Sequence, residues 1–172
     1  MKGAPSLPNT STSAPNFFAN HRPMIIRHAV PADIPALLRL LEALFGIEAD
    51  FYFDAEKSRR GLELMLEAPQ QRTVLVAVVK GEVAGMCAAQ LVISTAMGAP
   101  AMWVEDVVMQ PQFRGQGVMP TMLAELEKWG AERGATRFQL LCDSQNAPAM
   151  AFYPKQGFKP TQLRCFHKYP ES

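Results

Sequence analysis

The chain has no apolar stretch long enough to span a bilayer. Its first residues carry no apolar core behind a basic start, so a secretory signal is not expected. Charge is scarce. Only 19% of residues are charged and the net charge is +1. Nothing in that balance points to a nucleic-acid or membrane surface. Cysteine is limited to Cys87, Cys142 and Cys165. Their odd number and irregular spacing exclude a disulfide framework and a cysteine metal site, and they fit a reducing cytoplasm. His28 and His167 stand alone in strand-like contexts, which suits structural roles better than a catalytic pair.

What is present is a core. Of 172 residues, 48% are hydrophobic, enough for one globular domain. Residues 1–22 are rich in Ser, Thr, Pro and Asn without periodicity and are expected to be a disordered leader before a domain over 23–172. Phe17 and Phe18 are the exceptions within it. Met24 to Arg27 reads as a strand. Asp33 looks like the cap of a helix whose Ile34, Leu37, Leu38, Leu41, Leu44 and Phe45 recur at helical spacing up to Gly46. An acidic, aromatic loop, Glu48 to Asp54, leads to a second helix ending before Pro69. Thr73–Val79 and Val83–Ser94 flank Lys80-Gly81-Glu82 and predict a hairpin. Strands are expected over Ala101–Gln110, Thr136–Cys142 and Leu163–Tyr169, with helices over Gly117–Arg133 and Ala147–Gln156. The order is mixed α/β. The connection from Ala101–Gln110 through a helix to Thr136–Cys142 predicts a parallel pair.

Val107-Val108-Met109-Gln110-Pro111 runs into Arg114-Gly115-Gln116-Gly117-Val118-Met119, and a helix follows at once. Glycines let backbone approach a ligand without obstruction. The first amides of a helix lack intrahelical partners and carry the positive end of its dipole. A strand, a glycine loop and a helix start together make an anion site suited to phosphate or pyrophosphate.

Downstream lies Asn146-Ala147-Pro148-Ala149-Met150-Ala151-Phe152-Tyr153-Pro154-Lys155-Gln156-Gly157-Phe158. The two motifs, in this order and separation, resemble the GNAT N-acetyltransferase superfamily. The first resembles Gln/Arg-x-x-Gly-x-Gly/Ala, with Arg114 and Gly117 in place and Met119 where the family has a small residue. The second resembles N-x-x-A-x-x-x-Y-x-x-x-G-F, with Asn146, Ala149, Tyr153, Gly157 and Phe158 in place. The resemblance runs from about Met24 to Lys168. It implies a mixed, mostly antiparallel sheet flanked by helices, with two splayed parallel central strands. It further implies acetyl-CoA as cosubstrate, no metal, and direct transfer to an amine in a ternary complex. The partners expected are a small-molecule amine and, where the chain assembles, a second copy of itself. A peptide acceptor, and a CoA-binding module with little turnover, are the alternatives.

Acyl transfer to an amine needs a base for the ammonium proton, polarisation of the thioester carbonyl and a proton for the leaving sulfur. By resemblance, Tyr153 protonates the sulfur. Glu105 is the candidate base, because a carboxylate in an apolar strand is costly unless paired or functional. Alternation puts Glu105 and Val107 on one face, with Asp106 and Val108 on the other. A bulge, common on this strand in the family, would make Asp106 the functional acid instead. It would also free amides around Val108 and Met109 for the carbonyl. The implied cofactor-binding set is Val107, Val108, Met109, Arg114, Gly115, Gln116, Gly117, Val118, Met119 and Asn146, the last being equally a helix cap. Met119 shares the inner helix face with Leu123, Leu126 and Trp129, which favours a core role. Cys142 has no activating neighbour in sequence and reads as inert.

Overall fold

The computed structural model describes residues 24–48 and 50–170, so the expected leader over 1–22, with Phe17 and Phe18, lies outside the described residues. Five strands form one sheet in the order β1-β2-β3-β4-β5: Met24–His28, Arg72–Val79, Glu82–Ser94, Ala99–Met109 and Arg137–Leu140. β1 to β4 pair antiparallel, and β4 pairs parallel with β5, as a helical crossover requires. The hairpin between β2 and β3 turns on Lys80 (φ 53°) and Gly81 (φ 80°), two left-handed residues whose twist matches the strands.

Helices cover both faces. α1 (Ile34–Phe45) and α2 (Ala55–Glu67) lie on one, α3 (Val118–Ala131) on the other. α4 (Ala147–Phe152) follows β5. Strand alternation divides the core accordingly. Val74 and Val76 of β2 pack with Leu37, Leu41 and Leu62, while Leu75, Ala77 and Val79 pack with Met122, Leu123 and Leu126. α3 comes so close to the sheet at Gly130 that a Cβ there would stand 2.8 Å from Met102 Sδ.

Two expectations are corrected. Asp33 stands at the N-cap of α1 but makes no side-chain cap. A 3-10 turn, Pro31–Asp33, precedes the helix and directs the carboxylate backwards. There it accepts from Arg27 at 2.7 and 2.9 Å and from the Val30 amide at 2.8 Å. The guanidinium hydrogen bond holds its carboxyl below the usual range. α2, by contrast, has a side-chain cap in Asp54, which accepts from the amides of Glu56 and Lys57.

The second correction is the last strand. Leu163–Tyr169 is not paired in the sheet. Residues 159–170 are exposed throughout, with Leu163 and Phe166 each 88% accessible. A β-like composition gives a segment the capacity to pair but not a partner. Among the described residues, this one makes no backbone–backbone hydrogen bond. β5 therefore stands at the edge of the sheet, and the parallel pair is not central.

Candidate active site

The site starts at a defect in β4. Met86 faces Val108 and Ala88 faces Glu105, so Asp106 and Val107 together oppose Cys87. This is a β-bulge. Asp106 occupies it with φ 51°, a conformation that costs an ordinary residue about 1–2 kcal/mol and that Asp tolerates better than most. The extra residue breaks the expected alternation. Val107 packs with the α3-side core beside Val104, and Val108 joins the α1–α2 side. Glu105 is exposed and accepts from Gln90 Nε2 at 3.2 Å. Asp106 is partly buried.

The bulge lies where the parallel pair parts. β4–β5 pairing joins Ala101–Val104 to Arg137–Leu140 and stops, while β4 runs on to Met109. The opened space is a cleft. Val104, Glu105, Asp106 and Val107 line it from β4, and Leu140, Leu141, Cys142 and Asp143 from the end of β5. Leu44 and Glu48 close it at the end of α1, and Asn146, Ala149 and Tyr153 close it along α4. Four of these residues are carboxylic acids, and no Lys, Arg or His is among them.

Burial, reinforced by that imbalance, raises four groups in the cleft. Burial, with Glu105 and Glu48 adding repulsion, pushes Asp106 up to about 7. Burial, then Asp143 and Asp50, raises Glu48. Cys142 is raised by burial and by Asp143 and Glu48, so its thiol stays protonated and poorly nucleophilic. Tyr153 is held well above the usual phenol range, chiefly by burial. It is therefore a proton donor at any physiological pH. Its ring meets Phe152 and Phe158 edge-on, with centroids 5.4 and 5.8 Å away.

The glycine loop follows the C-terminal end of β4. Gly115 (φ 71°) and Gly117 (φ 76°) are both left-handed, and a Cβ on either would meet nothing within 4 Å. They serve the backbone path and leave open space beside it. Gly117 is the N-cap of the 14-residue α3. The Val118 and Met119 amides have no partner within the helix by its geometry, and Pro120 has no amide to offer. Arg114 is anchored by Nε to the Met109 carbonyl at 3.1 Å, which leaves its terminal nitrogens for a ligand. Met119 is partly buried against the α3-side core, as expected from its helix face. Asn146 accepts from the Ala149 amide at 3.2 Å and so caps α4 while lining the cleft.

Met119→Gly is accordingly expected to destabilise the fold by about 1–3 kcal/mol, from lost packing and helix propensity. CoA should raise the melting temperature of variant and wild type by equal increments. Thermal melts with and without CoA check both parts.

The sequence did not single out Glu48 or Asp143. Glu48 had a faint signal in its acidic loop. Asp143 had none, because only the parting of β4 and β5 brings it to the cleft. His28 keeps a structural role, with Nδ1 2.8 Å from Thr73 Oγ1. A separate depression between β1 and α3, lined by His28, Lys128 and Glu132 among others, contains none of the acyl-transfer candidates. No helix is long and apolar enough to cross a membrane, among the described residues.

Residues 37–158 match the model of the acetyltransferase (GNAT) family. An aminoglycoside N(6')-acetyltransferase type 1 from Stenotrophomonas maltophilia is 26% identical over 150 residues, covering 84% of this chain and 92% of that protein. Among solved structures, an aminoglycoside N-acetyltransferase in complex with CoA superposes with a TM-score of 0.74 at 18% identity, covering 88% of this chain and 97% of the other. Glucosamine-6-phosphate N-acetyltransferase from Arabidopsis thaliana does so at 0.69 and 19% identity, covering 86% and 99%. At such identities the superpositions speak for the fold. The family match spans most of the chain, and with the bulged, splayed sheet and its glycine loop it shows that this chain belongs to the GNAT family of N-acetyltransferases.

Proposed function

We propose that this acetyltransferase moves an acetyl group from acetyl-CoA to a primary amine of a small polycationic molecule, by direct attack in a ternary complex. The observation that carries the reading is the cleft itself, where Asp106 and Tyr153 share a space lined by four acids and no base. An uncompensated cluster of carboxylates is relieved by cations, so charge favours a substrate with more than one ammonium group. The aminoglycoside acetyltransferase relative supports the same class.

The residues present fit the cosubstrate. Arg114, Gly115, Gln116, Gly117, Val118 and Met119 supply a cation, free amides and open space for a pyrophosphate. Val107, Val108 and Met109 present β4 backbone beyond the point where β5 stops pairing. Their amides are the candidate donors to the carbonyl oxygen. Acetyl-CoA supplies the activated acyl group when bound. Asp106 takes the proton of the attacking amine, being ionised about half the time near pH 7. Tyr153 returns a proton to the departing sulfur. Cys142, held protonated, favours direct transfer over an acyl-cysteine route.

The test is CoA release from acetyl-CoA with a panel of aminoglycosides, amino sugars, linear polyamines and peptides. Turnover on polycationic small molecules, with intersecting initial-velocity lines, is expected. CoA binding with no release on any amine would replace the reading with a CoA-sensing role. Preference for peptides would replace the acceptor class.

Gly117→Asp tests the phosphate loop. The substitution sets a negative charge beside the pyrophosphate site, at a φ of 76° that Asp can adopt at modest cost. CoA affinity should fall more than about tenfold in calorimetric titration, the equivalent of roughly 1.4 kcal/mol. Gly117→Asn, of the same shape without the charge, should lose less.

A further inference from the structure

Two irregularities in the sheet lie side by side, with Gly85 between them. β4 bulges at Asp106 and Val107, opposite Cys87. β3 bulges nearby, against β2. Ala77 faces Gly85 and Val78 faces Val83, so Ala84 is the extra residue. On its other side Gly85 pairs with Met109, and Met86 pairs with Val108. Gln110 then ties the end of β4 to β3. Its backbone amide donates to the Ala84 carbonyl at 2.8 Å and its Nε2 to the Val83 carbonyl at 2.6 Å.

The strands are too close at Gly85 for any side chain. A Cβ there would stand 2.8 Å from the Val108 carbonyl oxygen, 2.8 Å from Met109 Sδ and 2.6 Å from Met109 Cε. The methionine tip can turn aside. The carbonyl can yield only if the β4 backbone moves, by several tenths of an ångström. The direction of that carbonyl sets a neighbouring donor. A trans peptide is planar, so its N–H points opposite to its C=O. The Val108 carbonyl points at β3, and the Met109 amide therefore points away from it. On that side β4 has lost its strand neighbour, because pairing with β5 ends at Val104. The Met109 carbonyl faces the same open side, where it accepts from Arg114 Nε at 3.1 Å.

Resting on the proposed seating of acetyl-CoA along β4, we propose that Gly85 is a positioning residue for the cosubstrate. Its missing side chain lets the Val108 carbonyl settle against β3, and so aims the Met109 amide at the acyl-carrying arm. The property used is space, not flexibility. Gly85 is not among the left-handed glycines, so alanine suits its backbone and tests the space alone.

The experiment compares wild type, Gly85→Ala and Gly130→Ala. Gly130 is the matched control, since the nearest neighbours of a Cβ there are side-chain atoms of Met102, Phe138 and Ala135. Its alanine variant should move melting temperature alone, with kcat and acetyl-CoA affinity at wild-type values. Gly85→Ala should raise the acetyl-CoA Kd about three- to tenfold in calorimetric titration, as the loss of one hydrogen bond does. With an amine that wild type acetylates, kcat should fall about tenfold, the effect of a sub-ångström misplacement, and acceptor KM should hold. The double variant Gly85→Ala/Met109→Ala, measured against Met109→Ala, clears the methionine tip but keeps the carbonyl contact. It carries the test where the single variant is too crowded to fold, and it should show the same loss of affinity. Wild-type kcat and affinity in Gly85→Ala, or a double variant equal to Met109→Ala, would overturn the proposal. Binding needs no turnover and keeps the two readings apart. If wild type binds acetyl-CoA but acetylates no amine, the acetylation reading fails. The role of Gly85 then stands if Gly85→Ala weakens binding, and falls if it binds equally well.

Discussion

Asp106→Asn is expected to lower kcat by about 10²–10⁴, the range for a residue that moves a proton in the rate-limiting step. The variant keeps the shape of the side chain, and Asn tolerates the left-handed conformation at least as well as Asp. What it removes is a base whose carboxyl is pushed up to about 7. The wild-type kcat/KM should therefore climb with pH through about 7, and that limb should be absent in the variant. Stability should move the other way. A carboxyl raised on folding makes the native state bind a proton that the unfolded chain has already released above about pH 4. The native state thus loses relative stability as pH rises from about 4 to about 7 and carries the full penalty above that. Asp106→Asn removes the penalty. Melting temperature should rise at pH 8, by the equivalent of roughly 1–3 kcal/mol, and the gain should fade below pH 5. Glu105→Gln is the contrast, because Glu105 is exposed and bonded to Gln90. It should change kcat several-fold at most. A large loss in Glu105→Gln with a mild one in Asp106→Asn would exchange their roles.

That exchange is where sequence reasoning met its limit. Period and punctuation located the four α-helices and the five strands of the described residues, because β2 to β4 are long apolar runs and Lys80-Gly81 permits only a tight turn. The glycine loop was legible because its path turns on left-handed backbone, and glycine reports such backbone directly. A bulge leaves no comparable mark. Asp106 carries a positive φ without being glycine, so strict alternation sets Val104 and Val107 on opposite faces, whereas the structure packs both on the α3 side. The family resemblance, not the spacing, raised the bulge as an alternative. Asp143 and Glu48 reach the cleft through tertiary placement alone, one after β5 and one after α1. Leu163–Tyr169 shows the opposite error. Its residues favour a strand, but pairing depends on an edge elsewhere in space, which no local pattern encodes. Asp33 was read as a cap from its position, and Arg27, six residues earlier, won the carboxylate.

Tyr153→Phe isolates the second proton. The ring contacts with Phe152 and Phe158 survive the change, since both are made by the ring. The hydroxyl makes no hydrogen bond to another described residue, so its removal leaves no buried partner unsatisfied. Melting temperature and acetyl-CoA affinity should therefore stay close to wild type. Activity should not. Burial keeps this phenol protonated far above neutrality, which makes it a poor base and an available acid. It can give its proton only as negative charge gathers on a nearby sulfur. Without it, kcat should fall by about 10²–10⁴. The loss should depend on the acyl donor. A thioester whose thiol is more acidic leaves with less help, so the ratio of wild-type to variant kcat should shrink along a series of increasingly acidic leaving thiols. A constant ratio would mean that the hydroxyl orients the reactants and transfers no proton. Wild-type kcat in the variant would leave Tyr153 as packing alone. The pH profile supplies the last discrimination: the rising limb assigned to Asp106 should persist in Tyr153→Phe, because the two groups handle different protons.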